Sequence, residues 1–289
     1  MFSAPDPHRA AEDAGYGGPF IDFHTHLFPD PLWRAIQGWF GRETTWRFPF
    51  KGMWQEGAAF LEGLPRLERY VCCGYAHRPG IARELNRFYA ELPRHSPKAV
   101  PLGCAHQDDP DLAGLAEEAF AQGLWGFKIH GQVQRVAPDD PRWAPLYEVV
   151  ADRGGFVLFH AGNGPFPEPH TGFERFRAVL RRHPTLRCVI AHLGCFEAER
   201  FLGAALDHDN LYLDTAYTFL DNPSNRMDAP LELLEAAAHK VLFATDFPGI
   251  CHGYADGVRA IAELPLSDPA KEAIFLGNAR RFLGLGGQG

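Results

Sequence analysis

This sequence of 289 residues lacks the features of several common protein classes. It has no basic excess: 28 Lys and Arg stand against 36 Asp and Glu, a net charge of −8. A nucleic-acid-binding protein needs a basic face for the phosphates. No apolar run is long enough to span a membrane, and residues 1–18 have no apolar core typical of a secretory signal. The sequence therefore predicts neither nucleic acid nor a membrane as a partner.

Cysteine is scarce and shows no pattern. The six cysteines contain no Cys-x-x-Cys pair, and most lie in or beside apolar runs, where a free thiol packs as a small hydrophobic group. A disulfide framework is not expected in a chain this long with a core of its own, so we expect a cytoplasmic protein. Residues 1–18 are predicted to form a disordered tail, and residues 19–289 a single domain.

What the sequence does contain is an alternation of short apolar runs with helix-like segments. After an opening run that begins at Phe20, apolar runs occur at residues 70–75, 100–105, 125–130, 155–160, 186–192, 211–215 and 241–246. The segments between most of them have apolar residues three and four apart, as in amphipathic helices. Eight strand–helix units in about 250 residues predict an α/β fold, a closed (β/α)8 TIM-like barrel. The alternative is a doubly wound open sheet, but the glycine-rich turn expected after its first strand is absent.

The segment from Pro31 to Leu64 interrupts this alternation. It is too long for a simple connection and is rich in Trp and Phe. One interpretation is an aromatic-rich, partly helical insertion after strand 1 that forms a lid or side wall over the end of that strand. The other is a hydrophobic patch that is buried in a dimer contact, which leaves open whether the chain forms a homo-oligomer.

The opening strand contains two histidines that could bind one metal ion. Side chains alternate along a strand, which puts Asp22, His24 and His26 on one face, opposite Ile21 and Phe23. Two imidazoles at the end of a strand can bind a single ion. The alternative is a pair of packed or surface histidines, each of which would then need a polar partner of its own.

Three further ionisable residues end apolar runs. His160, His192 and Asp246 end the fifth, sixth and eighth runs, and each is followed within two or three residues by Gly or Pro. In a (β/α)8 barrel the C-terminal ends of all strands open on one face, where catalytic groups collect. We therefore expect these three residues to converge with His24 and His26.

The strand ends and the last helix carry six short motifs: Asp22-Phe23-His24-Thr25-His26, Gly126-Phe127-Lys128-Ile129-His130, Phe159-His160-Ala161-Gly162, Ala191-His192-Leu193-Gly194, Phe243-Ala244-Thr245-Asp246-Phe247-Pro248 and Ile274-Phe275-Leu276-Gly277-Asn278-Ala279-Arg280-Arg281-Phe282. In this order, over residues 20 to 285, they resemble the amidohydrolase superfamily. The resemblance is to its amidohydrolase-2 branch, which includes aminocarboxymuconate-semialdehyde decarboxylase, related decarboxylases and lactone hydrolases.

The resemblance implies a set of metal ligands. In mononuclear members of the branch the corresponding residues bind one divalent metal ion, here His24, His26, His160 and Asp246. Imidazole and carboxylate ligands suit Zn²⁺, and a catalytic site keeps one position open, so zinc is the expected ion. His192 would act as an acid, a base or an electrostatic support beside the metal, and Asp246 would also accept a proton from the attacking water.

Lys128 and His130 share one face of their strand, so both are expected to face the barrel interior and to contact substrate. In binuclear relatives a carboxylated lysine at this position bridges two metal ions, whereas the amidohydrolase-2 branch commonly leaves it unmodified. An unmodified Lys128 needs a substrate anion or a carboxylate partner. An ion pair with Asp22 or Asp214 is the alternative that involves no substrate.

Four further residues are weaker candidates for a role in the site. Arg42, Arg47 and Arg78 are each able to bind a substrate carboxylate. Asp22 is expected to orient one of the ligand histidines.

The predicted function is hydrolysis of a small organic amide, ester or lactone by metal-activated water. The alternative is metal-dependent, non-oxidative decarboxylation of a small unsaturated or aromatic acid. Hydrolysis is narrowly preferred because it is the broader activity of the superfamily. A third hypothesis, a catalytically silent barrel that serves as a scaffold, is disfavoured because the residues needed for catalysis are all present.

Overall fold

The structure, a computed structural model, describes residues 14–166, 168–220 and 226–285. Its strands are β1 (Phe20–Thr25), β2 (Leu67–Cys72), β3 (Ala99–Pro101), β4 (Gly103–Cys104), β5 (Gly126–His130), β6 (Phe156–His160), β7 (Arg187–Ile190), β8 (Leu211–Asp214) and β9 (Val241–Leu242). Consecutive strands pair in parallel, from β1 to β3 and from β4 to β9. Sequence order and spatial order therefore coincide.

The sheet closes into a barrel of eight strands. Only Leu102 separates β3 from β4, so these two segments form one strand of the barrel. β9 meets β1 where the backbone N–H of Asp246 donates to the carbonyl of His24 at 2.8 Å. Beside it, Thr25 and Phe247 form a parallel bridge. This closure confirms the predicted (β/α)8 barrel. β9 itself is shorter than the predicted strand, because residues 243–246 pair irregularly with β1.

Helices follow most strands, and most of the described helices cover the outside of the barrel, whereas α1 and α5 lie at its C-terminal end. They are α1 (Asp30–Glu43), α2 (Trp54–Gly63), α3 (Ala82–His95), α4 (Leu112–Ala121), α5 (Gly131–Gln134), α6 (Ala144–Asp152), α7 (Phe173–Arg182), α8 (Ala198–Asp207), α9 (Leu231–Ala236), α10 (Tyr254–Ala262), α11 (Asp268–Glu272) and α12 (Asn278–Phe282). None of the described helices is both long and apolar enough to cross a membrane.

The apolar core has two layers. The outer layer packs strand residues such as Phe127 and Ile129 against the helices, whereas the inner layer fills the barrel interior. The ring of Phe282 packs on the rings of Phe23 and Phe156 at centroid distances of 5.4 and 5.1 Å. Burial of each such ring stabilises the fold by about 1.5–3 kcal/mol. Helix α12 thus closes the N-terminal end of the barrel, and the C-terminal end remains for the site.

Residues 1–13 of the predicted N-terminal tail lie outside the described residues. The described remainder of that segment contacts the barrel: Ala14 is buried, and the ring of Tyr16 stacks on Phe275 with centroids 3.9 Å apart.

Candidate metal centre and its cavity

The C-terminal ends of β1, β5, β6 and β9 meet at a cavity of about 530 Å³. Seven of the site residues predicted from the sequence line it: His24, His26, Lys128, His130, His160, His192 and Asp246. Barrel closure thus brings residues that are far apart in the sequence into one cavity.

Three of these side chains form a tight cluster. Nε2 of His24 lies 3.2 Å from Nε2 of His26, and Oδ1 of Asp246 lies 3.5 and 3.0 Å from these two nitrogens. Two imidazole nitrogens and one carboxylate oxygen therefore point at a common position. This donor set is of the kind that binds a divalent metal ion.

The other nitrogen of each imidazole has a partner that fixes the orientation of the ring. Nδ1 of His26 donates to the carbonyl of Cys73 at 2.7 Å, and Nδ1 of His24 donates to Oδ2 of Asp214 at 2.9 Å. Because these oxygens accept, the proton of each neutral ring sits on Nδ1, and Nε2 presents its lone pair to the cluster. Metal-binding histidines are held in the same way, so the residues present fit a metal ion.

The charges in the cluster follow from burial and proximity. Burial, reinforced by the charge of Lys128, holds the pKa of His24 well below its usual value. Burial also lowers the pKa of His26, but Cys73 and Asp246 outweigh it and raise that pKa to about 10. Burial opposes ionisation of Asp246, yet His26 and His24 hold its pKa well below the usual range. Oδ1 of Asp246 and Nε2 of His26, 3.0 Å apart, thus stabilise each other's charge, and metal binding at these two atoms depends on pH because it requires both to be deprotonated.

Lys128 is fully buried at the floor of the cavity. Its Nζ lies 3.2 Å from Nε2 of His24. The alternative, an ion pair with Asp22 or Asp214, is not formed in this arrangement, and both carboxylates have other partners. Asp22 accepts from Thr245, and Asp214 accepts from His24 and from backbone N–H groups.

His160 and His130 lie beside the cluster rather than within it. Their rings stack with centroids 4.2 Å apart, and burial holds the pKa of both well below the usual value. Nε2 of His160 donates to the carbonyl of Gly164 at 2.7 Å. The lone pair of His160 therefore sits on Nδ1.

His192 begins an unusual stretch of backbone. It has a φ of 58°, and left-handed conformations continue through Leu193, Gly194 and Cys195. Such conformations are unfavourable for residues other than glycine. Here the backbone N–H of His192 donates to Oδ1 of Asp214 at 2.8 Å, and its Nδ1 donates to the carbonyl of Ala216 at 2.8 Å. These bonds leave Nε2 of His192 available, with its ring centroid 5.3 Å from that of His24.

Asp22 differs from the expectation. Its carboxylate accepts from the hydroxyl and the backbone N–H of Thr245 at 2.6 and 3.1 Å, and from the backbone N–H of His24 at 3.2 Å. It therefore holds the strand end and does not orient the ring of a ligand histidine. Asp214 has that role for His24, although the sequence suggested Asp214 only as an ion-pair partner of Lys128.

The predicted arginines do not line the cavity. Arg42, Arg47 and Arg78 are absent from its walls, and Arg47 instead donates to the carbonyls of Thr44 and Trp46. Arg135 lines the cavity, although the sequence did not single it out.

The aromatic segment after β1 forms one wall of the cavity. Trp33, Trp39, Phe40 and Trp46 line it from this side, and Tyr217, from the region after β8, lines it next to Trp46. The rings of Trp46 and Tyr217 lie 5.1 Å apart and join the two regions. The segment thus lies beside the site.

Comparisons with known proteins agree with this architecture. The solved structure of an uncharacterised TIM-barrel protein from Bordetella bronchiseptica is 22% identical, with 92% of this chain and 98% of that chain covered and a TM-score of 0.69. 5-Carboxyvanillate decarboxylase from Novosphingobium aromaticivorans, solved with manganese and 4-hydroxy-3-methoxy-5-nitrobenzoic acid, is 13% identical, with 94% and 97% covered and a TM-score of 0.64. 2,6-Dihydroxybenzoate decarboxylase from Rhizobium is 16% identical, with 93% and 100% covered and a TM-score of 0.63. At these identities the likeness establishes the fold alone.

No curated protein matches the sequence. The family model Amidohydro_2, described as Amidohydrolase, matches residues 21–285. This match confirms the resemblance that the strand-end motifs indicated. The chain therefore belongs to the Amidohydro_2 family, a branch of the amidohydrolase superfamily of enzymes.

Proposed function

We propose that this enzyme is a metal-dependent, non-oxidative decarboxylase of a small aromatic or planar unsaturated carboxylic acid. The observation that carries the proposal is the position of Lys128, fully buried at the floor of an aromatic-walled cavity and without an ion pair to Asp22 or Asp214. A decarboxylase needs a fixed cation for its anionic substrate, and the arginines expected in that role, Arg42, Arg47 and Arg78, are absent from the cavity walls. Lys128 supplies the cation.

The metal site of the proposal consists of His24, His26 and Asp246, with His160 able to contribute Nδ1. When bound, the divalent ion would neutralise anionic oxygens of the substrate. Zn²⁺ is the ion expected from the ligand types. Mn²⁺ is the second ion to test, because the Novosphingobium decarboxylase was solved with manganese.

The cavity walls suit a flat substrate. Phe28 stacks on His26 with centroids 5.2 Å apart and an interplanar angle of 10°, and Trp33, Trp46 and Tyr217 extend the aromatic surface. Aromatic side chains bind a planar ring through their faces and edges. A carboxylate surrounded by such walls has little water around it, which favours its loss as neutral carbon dioxide.

Decarboxylation also needs a proton donor. The bond between the substrate carbon and its carboxylate breaks, the electron pair stays on that carbon, and a proton must be added there. Asp246 is held ionised by His26 and His24, so it is a poor donor. Nδ1 of His192 is engaged with the carbonyl of Ala216. We therefore assign proton delivery to His192 in its imidazolium form: Nδ1 keeps the proton that it donates to Ala216, and Nε2 takes up a second proton from solvent and delivers it to the substrate carbon.

Hydrolysis of an ester, amide or lactone is the second candidate. The ionised carboxylate of Asp246 beside the metal position supports it, because such a group can accept a proton from water. The same ligands would serve both reactions, so they do not discriminate between them.

Matched substrates separate the two reactions. Hydroxybenzoic acids and their methyl esters, each incubated with Zn²⁺- or Mn²⁺-loaded enzyme, present the same ring with a free or a blocked carboxylate. We expect carbon dioxide from at least one acid and no cleavage of its ester. Cleavage of the esters without carbon dioxide from any acid would favour hydrolysis.

A further inference from the structure

Asp214 joins the two halves of the candidate site. It is fully buried at the end of β8. Its Oδ2 accepts from Nδ1 of His24 at 2.9 Å, and its Oδ1 accepts from the backbone N–H groups of His192 and Ala216 at 2.8 and 3.0 Å. One carboxylate thus contacts the ring of a candidate metal ligand and the backbone of the candidate proton donor.

We infer that Asp214 is a positioning residue that keeps the imidazole proton of His24 on Nδ1 and so directs the Nε2 lone pair at the metal ion. The same carboxylate anchors the left-handed turn that begins at His192. This inference rests on the metal binding of the proposed function, but it holds equally for decarboxylation and for hydrolysis.

Asp214 is surrounded by hydrogen-bond donors, and only a carboxylate can accept from all of them. Three N–H groups point at its two oxygens, and a carboxylate only accepts. The backbone N–H groups of His192 and Ala216 cannot become acceptors. The imidazole of His24 can do so, because a neutral ring carries its proton on either nitrogen.

Asp214→Asn therefore has a predictable outcome. The amide oxygen faces the two backbone N–H groups and keeps two hydrogen bonds, which leaves the amide NH₂ facing Nδ1 of His24. The opposite orientation keeps one hydrogen bond and sets the NH₂ against two donors. In the favoured orientation Nδ1 of His24 must accept, so the proton moves to Nε2 and blocks the lone pair that the metal requires. The amino group of Lys128, at the end of a flexible chain, can turn away from the new N–H.

Asp22→Asn is the matched control. Asp22 is also a fully buried carboxylate, and its donors are the backbone N–H groups of His24 and Thr245 and the hydroxyls of Thr245 and Tyr254. Both hydroxyls can rotate and accept from an amide NH₂. No imidazole nitrogen is a hydrogen-bond partner of Asp22, so this variant is expected to leave the proton of His24 on Nδ1.

The test measures Zn²⁺ affinity of the metal-free full chain by competition with a chromophoric chelator, together with ¹⁵N NMR of the histidine rings. We expect Asp214→Asn to weaken Zn²⁺ binding by about 10- to 100-fold and to move the His24 proton to Nε2. Asp22→Asn should do neither. Unchanged affinity in Asp214→Asn would overturn the inference, and so would weakened binding with the proton still on Nδ1. Failure of the parent protein to bind Zn²⁺ or Mn²⁺ would instead refute the metal site of the proposed function.

Discussion

Nζ of Lys128 lies 3.2 Å from Nε2 of His24, and both side chains are buried. The nitrogen that a metal ion would use is therefore hydrogen-bonded to an amino group in the metal-free protein. An entering ion must displace this amino group, which then remains beside the ion and can bind a substrate anion. The proposed function thus predicts that metal binding and substrate binding are linked through this contact.

Replacement of Lys128 tests this link. Lys128→Met keeps the length of the side chain but removes the charge and the competing donor. We expect Zn²⁺ binding that is equal or tighter, and kcat/KM lower by about 100-fold or more, because a fixed charge in a dry site contributes strongly to catalysis. Metal titration and steady-state kinetics measure the two effects.

Two results would contradict this role. Loss of the metal in Lys128→Met would make Lys128 part of the metal site. The mass of a carboxyl group on Lys128 in the intact parent protein, together with two equivalents of metal, would favour the binuclear arrangement.

The metal site itself predicts a stoichiometry. We expect about one equivalent of a divalent ion per chain in protein purified without added metal. His26→Ala should lose this ion and the activity together, because it removes one of few ligands. Elemental analysis measures the ion, and circular dichroism checks the fold. Retention of the ion by His26→Ala would contradict the assignment.

His192 is predicted to act beside the metal rather than as a ligand. His192→Asn suits the backbone, because asparagine tolerates a φ of 58° better than most residues. We expect full metal content and a loss of kcat of about 100-fold to 10,000-fold. Release of the metal by this variant would show that His192 is a ligand.

The positions of the site residues could be predicted because strand ends follow from alternation of apolar and helix-like segments. His24, His26 and Asp246 lie at or just beyond the C-terminal ends of β1 and β9, and a closed barrel brings strand ends together. The contact between Asp214 and His24 could not be predicted, because it depends on the register and closure of a barrel over 190 residues.

The side chains of β1 do not follow the regular strand alternation that the prediction assumed. Regular alternation predicts that Ile21 and Phe23 point away from the face that carries His24. Both nevertheless belong to the apolar layer inside the barrel, and His24 lines the cavity as well. The pairing of β1 with β2 is irregular between Asp22 and Thr25, and such an irregularity redirects side chains locally. The residue types alone do not indicate where this irregularity in strand pairing occurs.

Two loops of the site meet at a pair of glycines. A Cβ on Gly162 would clash with the backbone carbonyl of Gly194, so Gly162→Ala must push the loop after His160 away from the turn of His192. We expect the free energy of unfolding to fall by about 2 kcal/mol or more, with lower activity. Chemical denaturation and kinetics measure these changes.

Gly203→Ala is the control for that substitution. Gly203 lies in α8, and a Cβ there meets nothing within 4 Å. Alanine in a helix should raise the free energy of unfolding by up to about 1 kcal/mol. Equal destabilisation by both variants would contradict the steric explanation.

The reaction class can be read from where solvent atoms enter the product. For a substrate identified among the acids, turnover in D₂O enriched in ¹⁸O should release one carbon dioxide per product and place one deuterium on the carbon that carried the carboxylate. His192→Asn should slow both events equally, since we assign proton delivery to His192. A product that gains ¹⁸O, with no carbon dioxide and no deuterium on carbon, would contradict decarboxylation and establish hydrolysis instead.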